Sequence, residues 1–387
     1  MEPFKEVFNP KLIDSFCFCI NEHFNSFNSE SFKSCVISNL EALELKDRSD
    51  LIADALNEYL PKDVNTREGI LFSILHPLDC DNGPRESSNE GITSWGTLPM
   101  TTLVGKYGLG GFERSMEALR IMTPHFSSEF AIRHLILENH SKALKILESW
   151  VSHPDHHVRR LVSEGLRPRL PWAMQLPKYI KDPSPLIPIL KLLRDDEEEY
   201  VRRSVANNLN DISKDHPDLI ANLAEDWIDD LNANSYHASI ANSRKKLIKH
   251  ASRTLIKQGH PIALSAFGFG APNLEKVELN ITSEMVIFGE ELKFDLGVRS
   301  TSLLPQDLII DYVVHFKKKN GTNSPKVFKW TQKHLDANQS LKLTRKHPIK
   351  QITTRKYYEG KHYLSVRING RDFEKLPFDL VFKEDPV

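Results

Sequence analysis

The sequence predicts a mainly α chain, a helical solenoid followed by a small all-β sandwich, and three observations predict it. First, a helix-pair pattern recurs: LKILESWVSHPDHHVRRLVSEGL (144–166) aligns with PILKLLRDDEEEYVRRSVANNL (188–209), so that Val158-Arg159-Arg160 falls on Val201-Arg202-Arg203, 43 residues on. Second, the character changes near 260–275, where Gly268, Gly270 and Pro272 crowd together. Third, from there to the end seven segments alternate apolar with polar residues, with turn signals about every ten residues. A repeat of roughly 40–47 residues is the period of HEAT-type solenoids. Seven short alternating strands suit a sandwich of immunoglobulin or fibronectin type. The expectation is a HEAT-like α-solenoid over 1–270 and an all-β immunoglobulin-like sandwich over 275–384.

Taken in order, residues 1–78 show helical periods at 31–43 and 48–60, the latter stopped by Pro61. A Gly-, Ser-, Asn- and Asp-rich loop follows at 79–94. Helical pattern resumes at Trp95, continues in FERSMEALRIM and then in SSEFAIRHLIL, where Ser127 is placed to cap and Glu129 to sit in the first turn. The repeat starts at 141, and a looser third copy ends at His260-Pro261, echoing His216-Pro217. The strands are expected at 277–282, 291–300, 307–319, 326–335, 340–349, 362–370 and 375–382.

The bulk numbers narrow the class. A chain of 387 residues exceeds one ordinary core. Its net charge of −1 means that affinity for a polyanion must come from local clusters. The four cysteines, Cys17, Cys19, Cys35 and Cys80, show no CxxC pairing and read as reduced thiols, with no metal site. The N-terminus lacks a basic n-region with a long apolar run, and no later segment approaches a membrane span. A cytoplasmic protein is expected, with no membrane partner and as a monomer. Walker, GxGxxG, HExxH and GxSxG patterns are absent, so no nucleotide cofactor, zinc-protease or serine-hydrolase chemistry is indicated, and no cofactor is expected.

The chemistry concentrates at HPDHHVRRLVSEGLRPRLPW (153–172). With Val158, Leu161 and Val162 packed inward, Arg160, Glu164 and Arg167 share one helical stripe. Pro168 and Pro171 then end the helix and fix where Trp172 points. One reading makes these solvated or structural intrahelical pairs. The other makes Arg160 and Arg167 grip phosphates, which a planar guanidinium fork suits. Alone, Glu129 reads as a helix-start acid, Trp172 as a packed corner aromatic and Asp211 as a helix C-terminal residue. Arg203 matches Arg160 in the second repeat, and Arg244, Lys245, Lys249 and Arg253 form a stripe that either tracks phosphates or is merely solvated. The acidic run 195–199 reads as a solvated turn and helix N-terminus.

SEFAIRHLI (128–136), VRRLVSEGLRPRLPWA (158–173) and VRRSVANNLNDISKDHP (201–217) closely resemble, in the expected order, motifs of the AlkC-type DNA alkylation-repair glycosylases. The resemblance covers about residues 1–267, and a subset of that family carries a C-terminal immunoglobulin-like domain. Leu166 stands where a small polar residue is usual, and His134 where proline is frequent. The resemblance implies a monofunctional base-excision glycosylase acting on cationic N-alkylated bases, such as 3-methyladenine and 3-methylcytosine, in duplex DNA without enclosing the base. It implies Glu129 and Glu164, with Asp211 as a secondary candidate, as acidic catalytic residues, Arg160 and Arg167 as phosphate-contacting and site-organising groups, and Trp172 as an aromatic wall.

Such chemistry fits the residues. A cationic base leaves without a strong acid, and carboxylates stabilise the growing charge on the sugar and orient water. The competing readings are a non-catalytic HEAT-repeat scaffold binding nucleic acid or protein, and, with less in the sequence to favour it, a metal-dependent nuclease. The strands carry Lys317, Lys318, Lys319, Lys342, Arg345, Lys346, Arg355 and Lys356, from which the β-module is expected to clamp the duplex.

Overall fold

Side-chain caps and prolines decide where the helices begin. In the computed structural model, which describes residues 4–77 and 86–383, Asn9, Asn28, Asp63 and Asn139 each accept a first-turn N–H. They open helices Pro10–His23, Ser29–Leu40, Val64–Ser73 and His140–Ser149. Pro217 and Pro261 open Pro217–Ala233 and Pro261–Ala266, where a missing N–H costs nothing. The expected second helix is Leu45–Tyr59, and those after Trp95 run Thr97–Tyr107 and Phe112–Met122. Cys17, Cys19 and Cys35 are free thiols, while Cys80 and positions 79–85 of the expected loop lie outside the described residues. No described helix is long and apolar enough to cross a membrane.

One helix start differs from expectation. The helix after residue 127 begins only at Ile132, and Ser127 and Glu129 lie in the turn before it. The Ser127 hydroxyl accepts from the Arg160 side chain at 2.9 Å instead of capping a first turn. Helix Thr97–Tyr107 makes room for this turn through Gly105, where a Cβ would lie 2.6 Å from the Ala131 carbonyl oxygen.

The 43-residue repeat builds a layer of parallel positions. Helix His156–Gly165 buries Val158, Leu161 and Val162, and helix Glu199–Ile212 buries Val201, Val205 and Leu209. These two pack together, and the second packs on Ala238–Ala251. The acidic run between them is solvated as expected at Glu197, Glu198 and Glu199, where the helix begins, but not at its first two residues. Asp196 pairs with Arg159 at 2.7 Å, and Asp195 with Arg244 at 2.5 Å. Both guanidinium groups are buried and need counter-charges, which also removes Arg244 from any solvent-facing stripe.

By internal packing the chain forms two units, one of residues up to Asp215 with His237–Ala251, the other of His216–Tyr236 with the chain from Ser252 onward. Helix gives way to strand between Ala266 and Leu274. The second unit nevertheless includes helices, and close contacts explain why. Gly259 and Gly370, both at positive φ, approach until a Cβ on Gly259 would lie 2.5 Å from the Gly370 Cα. Asn369 Nδ2 also donates to the Gly270 carbonyl at 2.8 Å.

The strands are β1 (Leu274–Ile281), β2 (Met285–Ile287), β3 (Glu291–Ser300), β4 (Gln306–Lys317), β5 (Asn323–Leu335), β6 (Ser340–Pro348), β7 (Gly360–Ile368) and β8 (Arg371–Val381). They form sheets ordered β1-β3-β6 and β2-β8-β7-β4-β5, the immunoglobulin-like sandwich expected. All seven expected segments fall on strands. The unexpected β2 pairs parallel to β8 and, at three residues, is too short for its alternation to register. Phe294 of one sheet meets Tyr312 and Trp330 of the other, with ring centroids 5.2 and 5.1 Å apart.

Gly105→Ala is expected to lower the urea midpoint. Overpacking of about 1–3 kcal/mol against a main-chain oxygen exceeds the helix-propensity gain of up to about 1 kcal/mol. A midpoint equal to or above that of the unaltered chain would show that the turn carrying Glu129 does not depend on this approach.

Candidate active site

Asp155 caps helix His156–Gly165 by accepting from the His157 N–H at 2.7 Å. Arg160 and Glu164 emerge on one stripe of it. Arg160 Nη1 donates to Ser127 Oγ and pairs with Glu129, and its other terminal nitrogen lies 3.4 Å from Glu164 Oε1. Arg167, just past the helix end, donates Nη1 to the same Oε1 at 2.6 Å and Nε to Asp211 Oδ2 at 2.8 Å. Ser204 Oγ donates to Glu164 Oε2 at 2.6 Å, and Lys214 Nζ to Asp211 Oδ1 at 2.7 Å. The result is one ionic chain, Glu129–Arg160–Glu164–Arg167–Asp211. Burial works against charge on both arginines, yet the carboxylates outweigh it and hold both guanidinium groups above their ordinary pKa.

The loop after this helix is fixed from beneath. Arg133, fully buried, donates Nη1 to the carbonyls of Gly165 (2.9 Å) and Arg167 (2.8 Å), and Nε to that of Met174 (2.6 Å). Burial, with Arg167 nearby, pulls its pKa down to about 10. Between these anchors Trp172 adopts φ 64°, and its carbonyl accepts from Lys46 Nζ at 2.7 Å. At 66% exposure Trp172 is not a packed corner residue. A left-handed backbone at a bulky residue is uncommon and is held here by its tethers.

These elements enclose a cleft of about 520 Å³. Glu129, Arg160, Glu164 and Arg167 line it together with the rings of Trp95, Phe130, Trp172 and Tyr200. The Arg160 guanidinium lies 5.0 Å from the Tyr200 ring centroid. Asp211 is 1% exposed, does not line the cleft and is joined to it through Arg167. Arg203 lines a separate groove of about 210 Å³ with Lys246 and His250, while Lys245 and Lys249 are exposed outside that lining. Arg160, Arg203 and Lys246 fall on the same repeat position of three neighbouring helices, 43 residues apart each time.

Sequence reasoning passed over Ser204, Tyr200 and Arg133. Ser204 had a signal, since it stands where the first repeat has Leu161. Arg133 had a weaker one, a cation inside an apolar run. Among the described residues Asp155, His156 and His157 bring ligand-type atoms within 4.8 Å of one another. The Asp155 carboxylate is already the helix cap, and both histidine rings pack edge-on to Tyr200.

A family model described as DNA alkylation repair enzyme matches residues 126–246, which hold the whole ionic chain. A second, described as the C-terminal Ig-like domain of uncharacterised protein YhaZ, matches residues 275–382. The uncharacterized protein YhaZ of Bacillus subtilis (strain 168) is 36% identical over 382 residues, 98% of this chain and 100% of that protein. The structure of Pseudomonas fluorescens alkylpurine DNA glycosylase AlkC, bound to DNA containing an abasic site analog, matches with a TM-score of 0.81 and 31% identity, covering 98% of this chain and 100% of that one. The chain belongs to the AlkC family. Its AlkC portion and its immunoglobulin-like portion are both accounted for, and the 153–172 stretch that resembled AlkC motifs is the stretch that builds the cleft.

His125 also lines the cleft, and its Nδ1 has no hydrogen-bond partner. Burial, reinforced by His76, pulls its pKa to about 4. Unfolded histidine titrates near ~6.5, so below that pH the unfolded chain takes up a proton that the folded chain refuses. Folding stability is therefore fully present above about pH 6.5 and falls as pH drops toward about 4. Urea midpoints measured across this range should show the fall, with a shallower slope in His125→Asn. An identical slope in that variant would remove His125 as a source.

Proposed function

We propose that this chain is a monofunctional DNA glycosylase that hydrolyses the N-glycosidic bond of cationic N-alkylated bases, 3-methyladenine and 3-methylcytosine among them, in duplex DNA. The observation that carries the reading is the pair of carboxylates, Glu129 and Glu164, fixed by arginines on the wall of an open aromatic cleft. An open cleft suits a reaction at the sugar that does not enclose the base.

In this reading the alkylated base departs with the electron pair of its bond to C1′, and positive charge grows on the sugar. Glu164, held by Arg167 and Ser204, supplies negative charge already in position, so none of it must be reorganised as the bond breaks. Both Glu164 oxygens are engaged. Glu129 accepts from Arg160 through Oε2 alone, which leaves Oε1 to hold the attacking water and receive its proton. Asp211 acts through Arg167, and Trp172 supplies an aromatic face beside the lesion.

Arg160 and Arg167 are committed to carboxylates, so they serve as organisers more than as phosphate grips. Phosphate contacts are assigned to Arg203 and Lys246 in their groove, with Lys245 and Lys249 on the exposed surface of the same helix. In the 275–384 module a groove of about 560 Å³ is lined by Lys317, Lys318, Lys319, Lys326, Arg355 and Lys356, and no acidic side chain lines it. This groove is assigned to the DNA backbone as well.

The test is incubation with methylated duplex DNA and chromatography of the released bases. Glu164→Gln and Glu129→Gln should each fold and bind DNA while releasing base about 100-fold more slowly or worse. Release at the normal rate from both would sink the assignment. Arg203→Ala and Lys246→Ala should each reduce the slope of log affinity against log salt by about one phosphate contact, whereas Arg160→Ala should reduce the rate far more than the slope. The reverse pattern would return Arg160 to phosphate binding.

A further inference from the structure

A second cavity, of about 250 Å³, backs onto the cleft and shares Trp95, Phe130 and Trp172 with it. None of the ionic chain lines it. Its own polar groups are Ser49, Asp50, His134, Lys46 and Lys106, with Thr102 beside them. Two of these are spoken for: Lys46 holds the Trp172 carbonyl, and Lys106 pairs with Asp54 at 2.5 Å. Three others are not. Ser49 is 2% exposed, and its hydroxyl has no hydrogen-bond partner among the described residues, an expensive omission for a buried polar group. The Asp50 carboxyl stands at the rim and accepts no hydrogen bond from a described residue. Burial disfavours charge on both Asp50 and His134, and the Asp50 carboxylate partly offsets this at His134.

Flat aromatic walls with a carboxyl, an imidazole and an orphaned hydroxyl at their edges describe a site for a planar heterocycle bearing N–H donors and ring-nitrogen acceptors. The volume falls below the about 300–1,000 Å³ of drug-sized pockets, which suits a single base. A carboxyl at the rim, with the neighbouring lysines already tethered, disfavours a ligand that still carries phosphate. We propose that this cavity binds the free base after it has left the sugar, held behind Trp172 while the abasic DNA still occupies the cleft. The inference rests on the glycosylase reading above, and names a product site for it.

The test uses the full chain without DNA, titrated with 3-methyladenine and, separately, with adenine, while tryptophan fluorescence is followed. Saturable binding is expected. Asp50→Asn and Ser49→Ala should each weaken it about tenfold, the scale of one hydrogen bond involving a polar or charged group. Glu164→Gln should leave it unchanged. Since the Ser49 hydroxyl has no partner in the fold, Ser49→Ala should keep or raise the urea midpoint, which separates a ligand role from a structural one. Absence of saturation into the millimolar range overturns the site, as does unaltered binding in both Asp50→Asn and Ser49→Ala. A loss confined to Glu164→Gln also overturns it, by moving the base to the first cleft. Base release from methylated DNA is scored separately, so that its loss counts against the glycosylase reading and loss of free-base binding counts against this cavity.

Discussion

The site depends on a guanidinium that never meets solvent. Among the described residues no carboxylate hydrogen-bonds Arg133, and three main-chain carbonyls, at Gly165, Arg167 and Met174, take its place. Burying a cation in this way is costly, and only well-aimed dipoles offset the cost. The arrangement works in both directions. Arg133 is tolerated because the chain from 165 to 174 curls around it, and that stretch keeps its shape because Arg133 gathers its carbonyls. Arg167 and Trp172 both ride on the curl, so the aim of the ionic chain and of the aromatic wall trace back to one buried side chain. Its Nη2 remains without a partner, so the anchorage is achieved with polar capacity to spare.

Above that anchor the ionic chain alternates sign along its length, acid, base, acid, base, acid. Each arginine is shared between two carboxylates, and Glu164 is shared between two arginines. A pair at the surface would contribute little. Here the groups are largely withdrawn from water, so removing any member leaves a neighbour's charge uncompensated. Ser204 takes the second oxygen of the central Glu164, and Lys214 closes the Asp211 end. Rigid negative charge in a cleft is thereby obtained from ordinary surface-type residues, through mutual support.

Much of this was legible in the sequence, for identifiable reasons. The stripe at Arg160, Glu164 and Arg167 could be read because helical spacing is rigid, and the 43-residue offset exposed the repeat because each copy must bury the same face. The strands were legible because alternation with period two survives wherever one face of a sheet is buried. Failures came where a side chain's partner is remote in sequence. Nothing local distinguishes Asp195 and Asp196 from solvated acids, since Arg244 and Arg159 lie 49 and 37 residues away. Ser127 looked like a helix cap until Arg160, 33 residues on, claimed its hydroxyl. Trp172 looked like a packed corner because composition cannot reveal a positive φ enforced by tethers.

The division into units has a consequence for how the protein is made. Helix Pro217–Ala233 belongs with the later part of the chain, whereas Ala238–Ala251 returns to the earlier part. The polypeptide therefore passes from one unit to the other three times, at 215–216, 236–237 and 251–252. During synthesis, at about 5–20 residues per second, the first unit is complete once Ala251 has emerged. Helix Pro217–Ala233 packs on Pro261–Ala266, whose neighbour Gly259 abuts the Gly370 turn. Its packing partner therefore emerges only after the first unit is complete. The nascent chain must carry a helix that waits for its packing partner, and that interval is when a chaperone would find most to hold.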